Sequence, residues 1–373
     1  MFSEQRYQEA LEAFQFAHQL QPDWVVPLNN RGVVLWQAGE YALALTEMMK
    51  AYRLDPFHPE TVQNLIDMTV TLGKRDTAFT IIRTYLRKYP DDRRFMDKMR
   101  EIRPEIRIVH HMARSGGTII SKCLGCMDDV LLVSEIHPEG SRWFDPVLQC
   151  HQWFGMFDPE EIRNGSLTNM PFLEKIARIY EKAYAQKRTL IIRDWTHLDF
   201  TAVPFVKNPT YQLTTAMVLQ EWFDVLHVAT VRHPIDQWLS LRNLSIMKDQ
   251  LTIDDFLLGY RKFAEKACEI GFIRYEDFTL NPSQAMKTLC DQLCVAYDNG
   301  FLQKWYLYTT ITGDTNNQRV PKTSIEAVPR RPMEPSLKKE FEASKDYWAS
   351  IEMLGYELGS VDNTGQQKFM LPF

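Results

Sequence analysis

The hydrophobic and polar positions of the first ninety residues follow a helical pattern that returns every 34 positions. The spacing is seen in Pro22, Pro56 and Pro90, in Ala10, Ala44 and Ala78, and in Gly39 and Gly73. Small residues recur where two paired helices approach closely, and a proline follows the second helix of each pair. The pattern predicts an all-α domain of stacked helix pairs over residues 1–97.

This repeated pattern resembles that of tetratricopeptide repeats, which are helix pairs of the same length. About two and a half repeats are present, and the first of them lacks its first helix. A further helix predicted at Arg93–Glu101, or the second domain, would cap so short an array. The concave surface of such an array suits a protein or peptide partner, but a purely structural role remains the alternative.

Beyond Pro104 the pattern changes to short apolar runs that alternate with longer amphipathic segments. Strands are predicted at 106–109, 130–133, 189–193, 226–231 and 271–275, and helices at 171–186, 284–293 and 334–354. Residues 309–335 are rich in Thr, Asn, Pro and Arg and are predicted to form a loop. This order predicts an α/β domain at 103–373, with a parallel sheet flanked by helices.

A glycine-containing loop follows the first predicted strand. It consists of Arg114, Ser115, Gly116, Gly117 and Thr118, and a segment of helical spacing comes directly after it. A strand, such a loop and a helix together form a cradle for phosphate, because backbone N–H groups and the helix N-terminus converge on the anion. The Gly-Lys-Ser/Thr of a Walker A motif is absent, which disfavours a kinase or an NTPase.

A second candidate phosphate-binding segment follows the strand predicted at 225–231. Arg232 stands at the carboxyl end of this strand, Pro234 suits the first turn of a helix, and Ser240 lies two turns into it. Ligands of open α/β sheets bind outside the carboxyl ends of the strands. An arginine there presents a planar fork to a phosphate.

Taken together, these segments resemble the PAPS-dependent sulfotransferases. The loop at 114–118 is similar to that family's loop for the 5′-phosphosulfate, and Arg232 with Ser240 is similar to its 3′-phosphate pair. The segment Ile273–Phe278, followed by Asn281 and Pro282, resembles a strand and turn late in the same domain. Two departures are visible: Arg114 stands where the family often has Lys, and Gly117 where it often has Thr.

The resemblance implies a P-loop-like sulfotransferase fold, PAPS as co-substrate and no metal. The acceptor would be a small molecule, a glycan or a protein that offers a hydroxyl or an amine. An adaptor whose α/β domain binds nucleotide without turnover is the alternative function.

Two side chains are candidates for the base that takes the acceptor proton. His197 follows the strand at 190–193, and Thr196-His197-Leu198 is similar to the family's Lys-Thr-His-Leu, whose His has that role. Glu135, after the strand at 131–133, is the second candidate for base, or it orients the acceptor, and His137 is the alternative for either role. If His197 is the base, the acidic limb of the pH profile is expected near the pKa of a histidine.

Less specific expectations concern the surroundings of this site. Trp143 and Trp195 would border an aromatic acceptor pocket. The segment 310–314 and a set of later arginines fall where the family closes a loop over the nucleotide. These arginines are Arg319, Arg330 and Arg331.

Composition narrows the remaining classes of function. The net charge of −5 argues against a dedicated nucleic-acid binder. The sequence has no apolar run of membrane-spanning length and no signal-peptide core, so a cytoplasmic protein without a membrane anchor is expected. Of the six cysteines, Cys123 and Cys126 form a C-x-x-C. Because no second pair completes a zinc site, free thiols are expected rather than metal or redox chemistry.

Overall fold

A computed structural model describes residues 4–247, 250–313, 323–327, 329 and 331–357. The chain divides into two compact units. One, here called the helical unit, comprises Met1–Glu105 and Glu221–Asp224. The other, the α/β unit, comprises Ile106–Gln220 and Val225–Phe373.

The helical unit repeats its structure with the period of the sequence. Its helices are α1 (Glu4–Leu20), α2 (Val25–Gln37), α3 (Tyr41–Leu54), α4 (Pro59–Thr71), α5 (Arg75–Lys88) and α6 (Arg93–Ile102). Both ends of α4 lie 34 positions after those of α2, and both ends of α5 lie 34 positions after those of α3. The 34-residue period is therefore a period of helix pairs, while membership of the tetratricopeptide repeats stays a prediction.

Small residues allow the helices of a pair to pack closely. A Cβ at Gly32 in α2 would lie 2.8 Å from Met48 Cε and 3.3 Å from the carbonyl oxygen of Ala44, both in α3. Each pair turns through a glycine of positive φ, Gly39 at 84° and Gly73 at 71°. Glycine adopts this left-handed conformation without steric cost, which explains its recurrence after the first helix of each pair.

Residues 221–224 belong to the helical unit although they are distant from it in sequence. The Phe223 ring packs 5.2 Å from that of Phe79 in α5. The Arg83 guanidinium lies 4.7 Å over the ring of Trp222. A domain prediction that follows the chain contiguously to residue 97 does not include this segment, because only tertiary contacts place it there.

The α/β unit is built on a parallel sheet. Within the described residues its strands are β1 (Glu105–His111), β2 (Val130–Ile136), β3 (Thr189–Asp194), β4 (Asp224–Val231) and β5 (Phe272–Arg274). Their order across the sheet is β2-β3-β1-β4-β5. Val109 pairs with Arg193 between β1 and β3, and Val231 pairs with Arg274 between β4 and β5. The predicted α/β class with a parallel sheet is confirmed.

Helices flank this sheet. The first group comprises α7 (Gly117–Gly125), α8 (Pro146–Phe154), α9 (Pro159–Arg163), α10 (Phe172–Ala185), α11 (His197–Phe200) and α12 (Thr214–Leu219). The second comprises α13 (Pro234–Leu241), α14 (Ile253–Ile270), α15 (Tyr275–Leu280), α16 (Pro282–Gln292), α17 (Phe301–Lys304), α18 (Pro335–Ala343) and α19 (Lys345–Met353). Short 3-10 turns lie at Ser245–Met247 and Trp305–Leu307.

One hydrophobic core fixes the first of these helices on the sheet. All five strands contribute to it, with Val109, Val130, Leu132, Ile191, Val228 and Ile273. They are buried together with Ile120, Cys123 and Leu124 of α7. Because this face of α7 packs so tightly, the loop that precedes the helix is held at the carboxyl end of β1.

Three local expectations were wrong. Glu135 lies inside β2 rather than after it. The segment Tyr275–Phe278 is helical, in α15, because β5 ends at Arg274. The single helix predicted at 334–354 is two helices. They separate at Ser344, which is extended, with φ −83° and ψ 123°, and whose side chain caps α19 by accepting from the Tyr347 N–H.

Candidate functional site

The sheet order places a topological switch point at the carboxyl ends of β1 and β4. The chain leaves β1 toward β2 on one side, and it leaves β4 toward β5 on the other. Neighbouring strands whose connections diverge leave space between the following loops, and ligands of open α/β sheets bind there. The predicted loop at 114–118 and the predicted pair Arg232 and Ser240 follow these two strands.

Two adjacent glycines determine the path of the loop after β1. Gly116 has φ +90°, and a Cβ at this position would lie 2.2 Å from Tyr275 Cδ2. A Cβ at Gly117 would lie 2.3 Å from His111 Cδ2. A larger residue would collide with an aromatic ring at either position. The glycines thus bring the backbone close to both rings at the N-terminus of α7.

Helix α13 (Pro234–Leu241) and Arg232, which lies between β4 and this helix, hold the loop through three hydrogen bonds. Arg114 Nε donates to Ser240 Oγ at 3.0 Å. Arg232 Nη1 donates to the carbonyl oxygen of Arg114 at 3.3 Å. Gln237 Nε2 donates to the carbonyl oxygen of Ala113 at 2.8 Å. The structure therefore brings Arg114, Arg232 and Ser240 together, and adds Gln237, which the sequence analysis did not identify.

The position of Arg232 is fixed from two sides. Its guanidinium lies 5.0 Å over the ring of Tyr275, and its carbonyl oxygen accepts from the Tyr260 hydroxyl at 2.6 Å. Immediately after it, the His233 N–H donates to Glu276 Oε1 at 2.9 Å. Tyr275 and Glu276 of α15 therefore support the start of α13, a function that their position in the sequence motif did not reveal.

One hydroxyl of the loop is buried without a protein partner. Ser115 is 1% exposed, and its Oγ makes no hydrogen bond within the described part of the chain. A buried hydroxyl without a partner is costly. It lies just before the N-terminus of α7, where the helix dipole and free N–H groups favour an anion. The residues present therefore fit a bound phosphate or sulfate oxygen.

Arg193, at the carboxyl end of β3, joins the loop to β2. Its Nε donates to His111 Nε2 at 2.6 Å, and its Nη2 donates to Thr118 Oγ1 at 3.2 Å. Its Nη1 donates to Ser134 Oγ at 2.8 Å and to the Thr312 carbonyl oxygen at 2.9 Å. From the sequence, Arg193 was expected only as the last residue of a strand. An arginine that ends an apolar strand was the available signal, as it was for Arg232.

Glu135 occupies an irregular position in β2. Its φ is +57°, and the pairing of β2 with β3 shifts between Ser134 and Ile136. Such a bulge redirects a side chain at the end of a strand. Glu135 Oε1 lies 3.7 Å from Arg193 Nη2. The carboxylate is therefore close to the same arginine that contacts Thr118.

His197 is the first residue of α11 and is buried among aromatic rings. Its ring centroid lies 5.4 Å from that of Trp195 and 5.8 Å from that of Phe205. Burial, reinforced by the nearby His137, lowers the pKa of His197 to about 3. The imidazole is therefore neutral at physiological pH, so an acidic limb near an ordinary histidine pKa is not expected from it.

Two buried carboxylates support the segment around His197. Asp199 accepts from the Thr214 N–H at 2.9 Å and lies 3.3 Å from His137 Nε2. Burial lowers the pKa of His137, but Asp199 together with the nearby carboxylates of Asp194 and Glu139 raises it above its ordinary value. Burial likewise opposes ionisation of Asp194, but a hydrogen bond from His110 helps to lower the pKa of Asp194 to about 2.

A cluster of aromatic side chains extends from His197 to the protein surface. Trp143 is 39% exposed, and its ring lies 5.9 Å from Trp195 and 5.2 Å from Phe205. Arg142 lies 3.8 Å over the Trp143 ring. The two tryptophans named from the sequence thus lie together beside His197. Phe205 and Arg142 were not anticipated.

Of the segment and the later arginines that were expected to cover the nucleotide, only a part lies within the described residues. Arg331 Nη1 donates to the carbonyl oxygen of Leu239 at 3.0 Å, while Asp314, Arg319 and Arg330 lie outside the described residues.

Burial raises the pKa of Cys126 to about 11, which favours a protonated thiol. Among the described residues no cluster of three or more His, Cys, Asp or Glu side chains is arranged to hold a metal. None of their helices is long and apolar enough to cross a membrane.

The low pKa of His197 predicts a specific dependence of stability on pH. The unfolded chain takes up a proton on this ring near pH 6.5, but the folded chain does so only near pH 3. The free energy of unfolding should therefore fall as pH decreases from about 6.5 to 3, and His197→Asn should flatten this fall. Urea denaturation at several pH values measures it, and an NMR titration of His197 with a midpoint above pH 6 would contradict it.

No protein-family model matches the chain, and no curated protein matches it. Among solved structures, the sulfotransferase domain of the Synechococcus PCC 7002 olefin synthase is similar over 69% of this chain and 97% of its own, with 17% identity and a TM-score of 0.48. The sulfotransferase domain from the curacin biosynthetic pathway is similar over 69% and 99%, with 17% identity and a TM-score of 0.40. Similarity at this level does not assign a function.

Proposed function

We propose that this protein transfers a sulfuryl group from PAPS to a hydroxyl or an amine of an acceptor. The convergence of Arg114, Arg232 and Ser240 at the carboxyl edge of the sheet carries the proposal. The Arg114 guanidinium donates to the Ser240 hydroxyl at 3.0 Å, and the Arg232 guanidinium donates to the backbone carbonyl oxygen of Arg114 at 3.3 Å, beside a helix N-terminus. Such a set suits a ligand with two separate anionic groups better than it suits a structural ion pair.

In this proposal the two ends of the nucleotide bind to different elements. Arg232 and Ser240 hold the 3′-phosphate. Ser115, the glycines 116 and 117, and Thr118 surround the 5′-phosphosulfate, and the unpartnered hydroxyl of Ser115 gains a ligand oxygen. Arginine side chains and backbone N–H groups then carry the charge that develops on the leaving phosphate.

The transfer step requires a base beside the acceptor. A bond forms between the acceptor oxygen and sulfur while the bond from sulfur to the 5′-phosphate oxygen breaks, and its electron pair leaves with the phosphate. The acceptor proton passes to His197, which is neutral because its pKa is about 3, or to Glu135. The exposed Trp143 with Phe205 would contact the body of the acceptor.

Arg232→Ala tests the nucleotide site directly. The affinity for PAP (adenosine 3′,5′-bisphosphate) should fall by about 1.5–3 kcal/mol, because a charged hydrogen bond to phosphate is removed. Calorimetry measures this, and Arg163→Ala on the exposed helix α9 is the control that should leave the affinity unchanged. Unchanged PAP binding by Arg232→Ala would rule out the 3′-phosphate assignment.

A turnover assay distinguishes the two candidate functions, an enzyme and a nucleotide-binding adaptor. An enzyme should release PAP when it is supplied with labelled PAPS and a panel of hydroxyl and amine acceptors. A protein that gains thermal stability from PAP but transfers no label to any acceptor would be the nucleotide-binding adaptor. Stabilisation by ATP and not by PAP would instead favour an NTPase-like site.

A further inference from the structure

Arg193 is a buried cation that the proposed chemistry has not yet used. Its side chain is 6% exposed, and it donates hydrogen bonds to residues of β1, β2, α7 and the segment before Gly313. A neutral side chain would satisfy many of these partners at a lower desolvation cost. The presence of a permanent charge here therefore requires an explanation.

The charge of Arg193 is only partly balanced within the described residues. Glu135 Oε1, at 3.7 Å from Nη2, forms its one described ion pair. His111, which accepts from Nε, is held neutral because burial, helped by Arg193, lowers the pKa of His111 well below its ordinary value. The Asp194 carboxylate is directed elsewhere, since it accepts from Thr215 and His110. A ligand anion near Thr118 would complete the balance.

Arg114, the cation of the loop itself, is oriented toward the other end of the site. Its Nε donates to Ser240, so its side chain runs toward α13 and the proposed 3′-phosphate position. Arg193 Nη2 instead donates to Thr118 Oγ1, in the first turn of α7. The two arginines therefore reach different parts of the proposed site, Arg114 toward α13 and Arg193 toward the first turn of α7.

We infer that Arg193, rather than Arg114, supplies the fixed positive charge that binds the 5′ anionic end of the nucleotide. This inference rests on the proposed function. Arg114 stands where the resembled family often has Lys, and in this chain β3 provides the cation for that end from the opposite wall. Arg193 also places Glu135 next to the same anion, on the acceptor side.

The affinities for three nucleotides report separately on the two ends of the proposed site. The ratio of affinities for PAP and 3′-AMP reports the 5′-phosphate, and the ratio for PAP and 5′-AMP reports the 3′-phosphate. Arg193→Gln should lower the first ratio about tenfold or more and leave the second unchanged, while Arg232→Ala should do the reverse. If Arg114→Gln lowers the first ratio and Arg193→Gln does not, the inference is overturned.

Because Arg193 is buried, a second variant keeps the test decisive should Arg193→Gln fail to fold. Glu135→Gln removes the negative charge that partly offsets Arg193, so it should raise the ratio for PAP and 3′-AMP several-fold. An unchanged or lower ratio in that variant contradicts the inference.

The outcomes also separate the inference from the proposed function. If the wild-type protein binds PAP more tightly than both 3′-AMP and 5′-AMP but transfers no sulfuryl group from PAPS, the anion site stands and the enzyme assignment is wrong. An active enzyme whose first ratio is insensitive to Arg193 and Glu135 retains the function and loses the inference. Failure to bind any of the three nucleotides overturns both.

Discussion

His197→Ala should slow sulfuryl transfer by a factor of about 10²–10⁴ and leave the affinity for PAP unchanged. The imidazole is neutral in the folded protein and lies at the carboxyl edge of the sheet, at the start of α11. None of its ring contacts described here involves the loop at 114–118, so nucleotide binding should not depend on it. Single-turnover kinetics with labelled PAPS and calorimetry with PAP measure the two quantities separately.

Two further variants complete this experiment: a control at a histidine outside the proposed site, and a variant of Glu135, the other candidate base. His151 in α8 bonds to the Phe157 carbonyl oxygen at 2.8 Å, outside the proposed site, so His151→Ala should keep normal turnover. If His197→Ala retains near-full turnover while Glu135→Ala abolishes it, the base is Glu135. In that case the sulfotransferase proposal survives, and the role given to His197 does not.

The elements of the fold were largely predictable because they depend on local patterns. The 34-residue spacing of Ala44 and Ala78 marks helix pairs, since both residues are fully buried at equivalent positions of α3 and α5. The apolar run at 226–231 became most of β4, and its last four residues, 228–231, are all buried, as expected for a strand of a parallel sheet that is covered on both faces. The error at Ser344 has a local cause too, because a side-chain cap starts a new helix where the amphipathic pattern continues.

The contacts of the site were less predictable because they join distant parts of the chain. Arg114 and Ser240 are 126 residues apart, and Arg193 and Thr312 are 119 residues apart. The motif identified Arg114 as a phosphate ligand, but no local pattern indicates that its side chain points to Ser240. For the same reason Arg193 was recognised as the end of a strand and not as a member of the site.

Asp194→Ala should produce the largest loss of stability, about 3–5 kcal/mol in the free energy of unfolding. Asp194 is 1% exposed, and it accepts from His110 Nδ1 at 2.8 Å, Thr196 Oγ1 at 2.6 Å and Thr215 Oγ1 at 2.6 Å. Its removal leaves these buried donors without an acceptor. Urea denaturation at neutral pH, where a carboxyl with a pKa of about 2 is fully ionised, measures the loss.

The same variant connects stability with catalysis. The Thr196 hydroxyl that donates to Asp194 also accepts from the His111 N–H at 3.1 Å, so Asp194 fixes the backbone directly before His197. Asp128→Ala is the control, because Asp128 is 83% exposed and its surface ion pair with Lys304 should contribute little to stability. Asp194→Asn keeps one acceptor oxygen, so it should lose less stability than alanine while still slowing transfer. If Asp194→Ala loses no more stability than Asp128→Ala, then the end of β3 is held in place by apolar packing, and the buried carboxylate does not position His197.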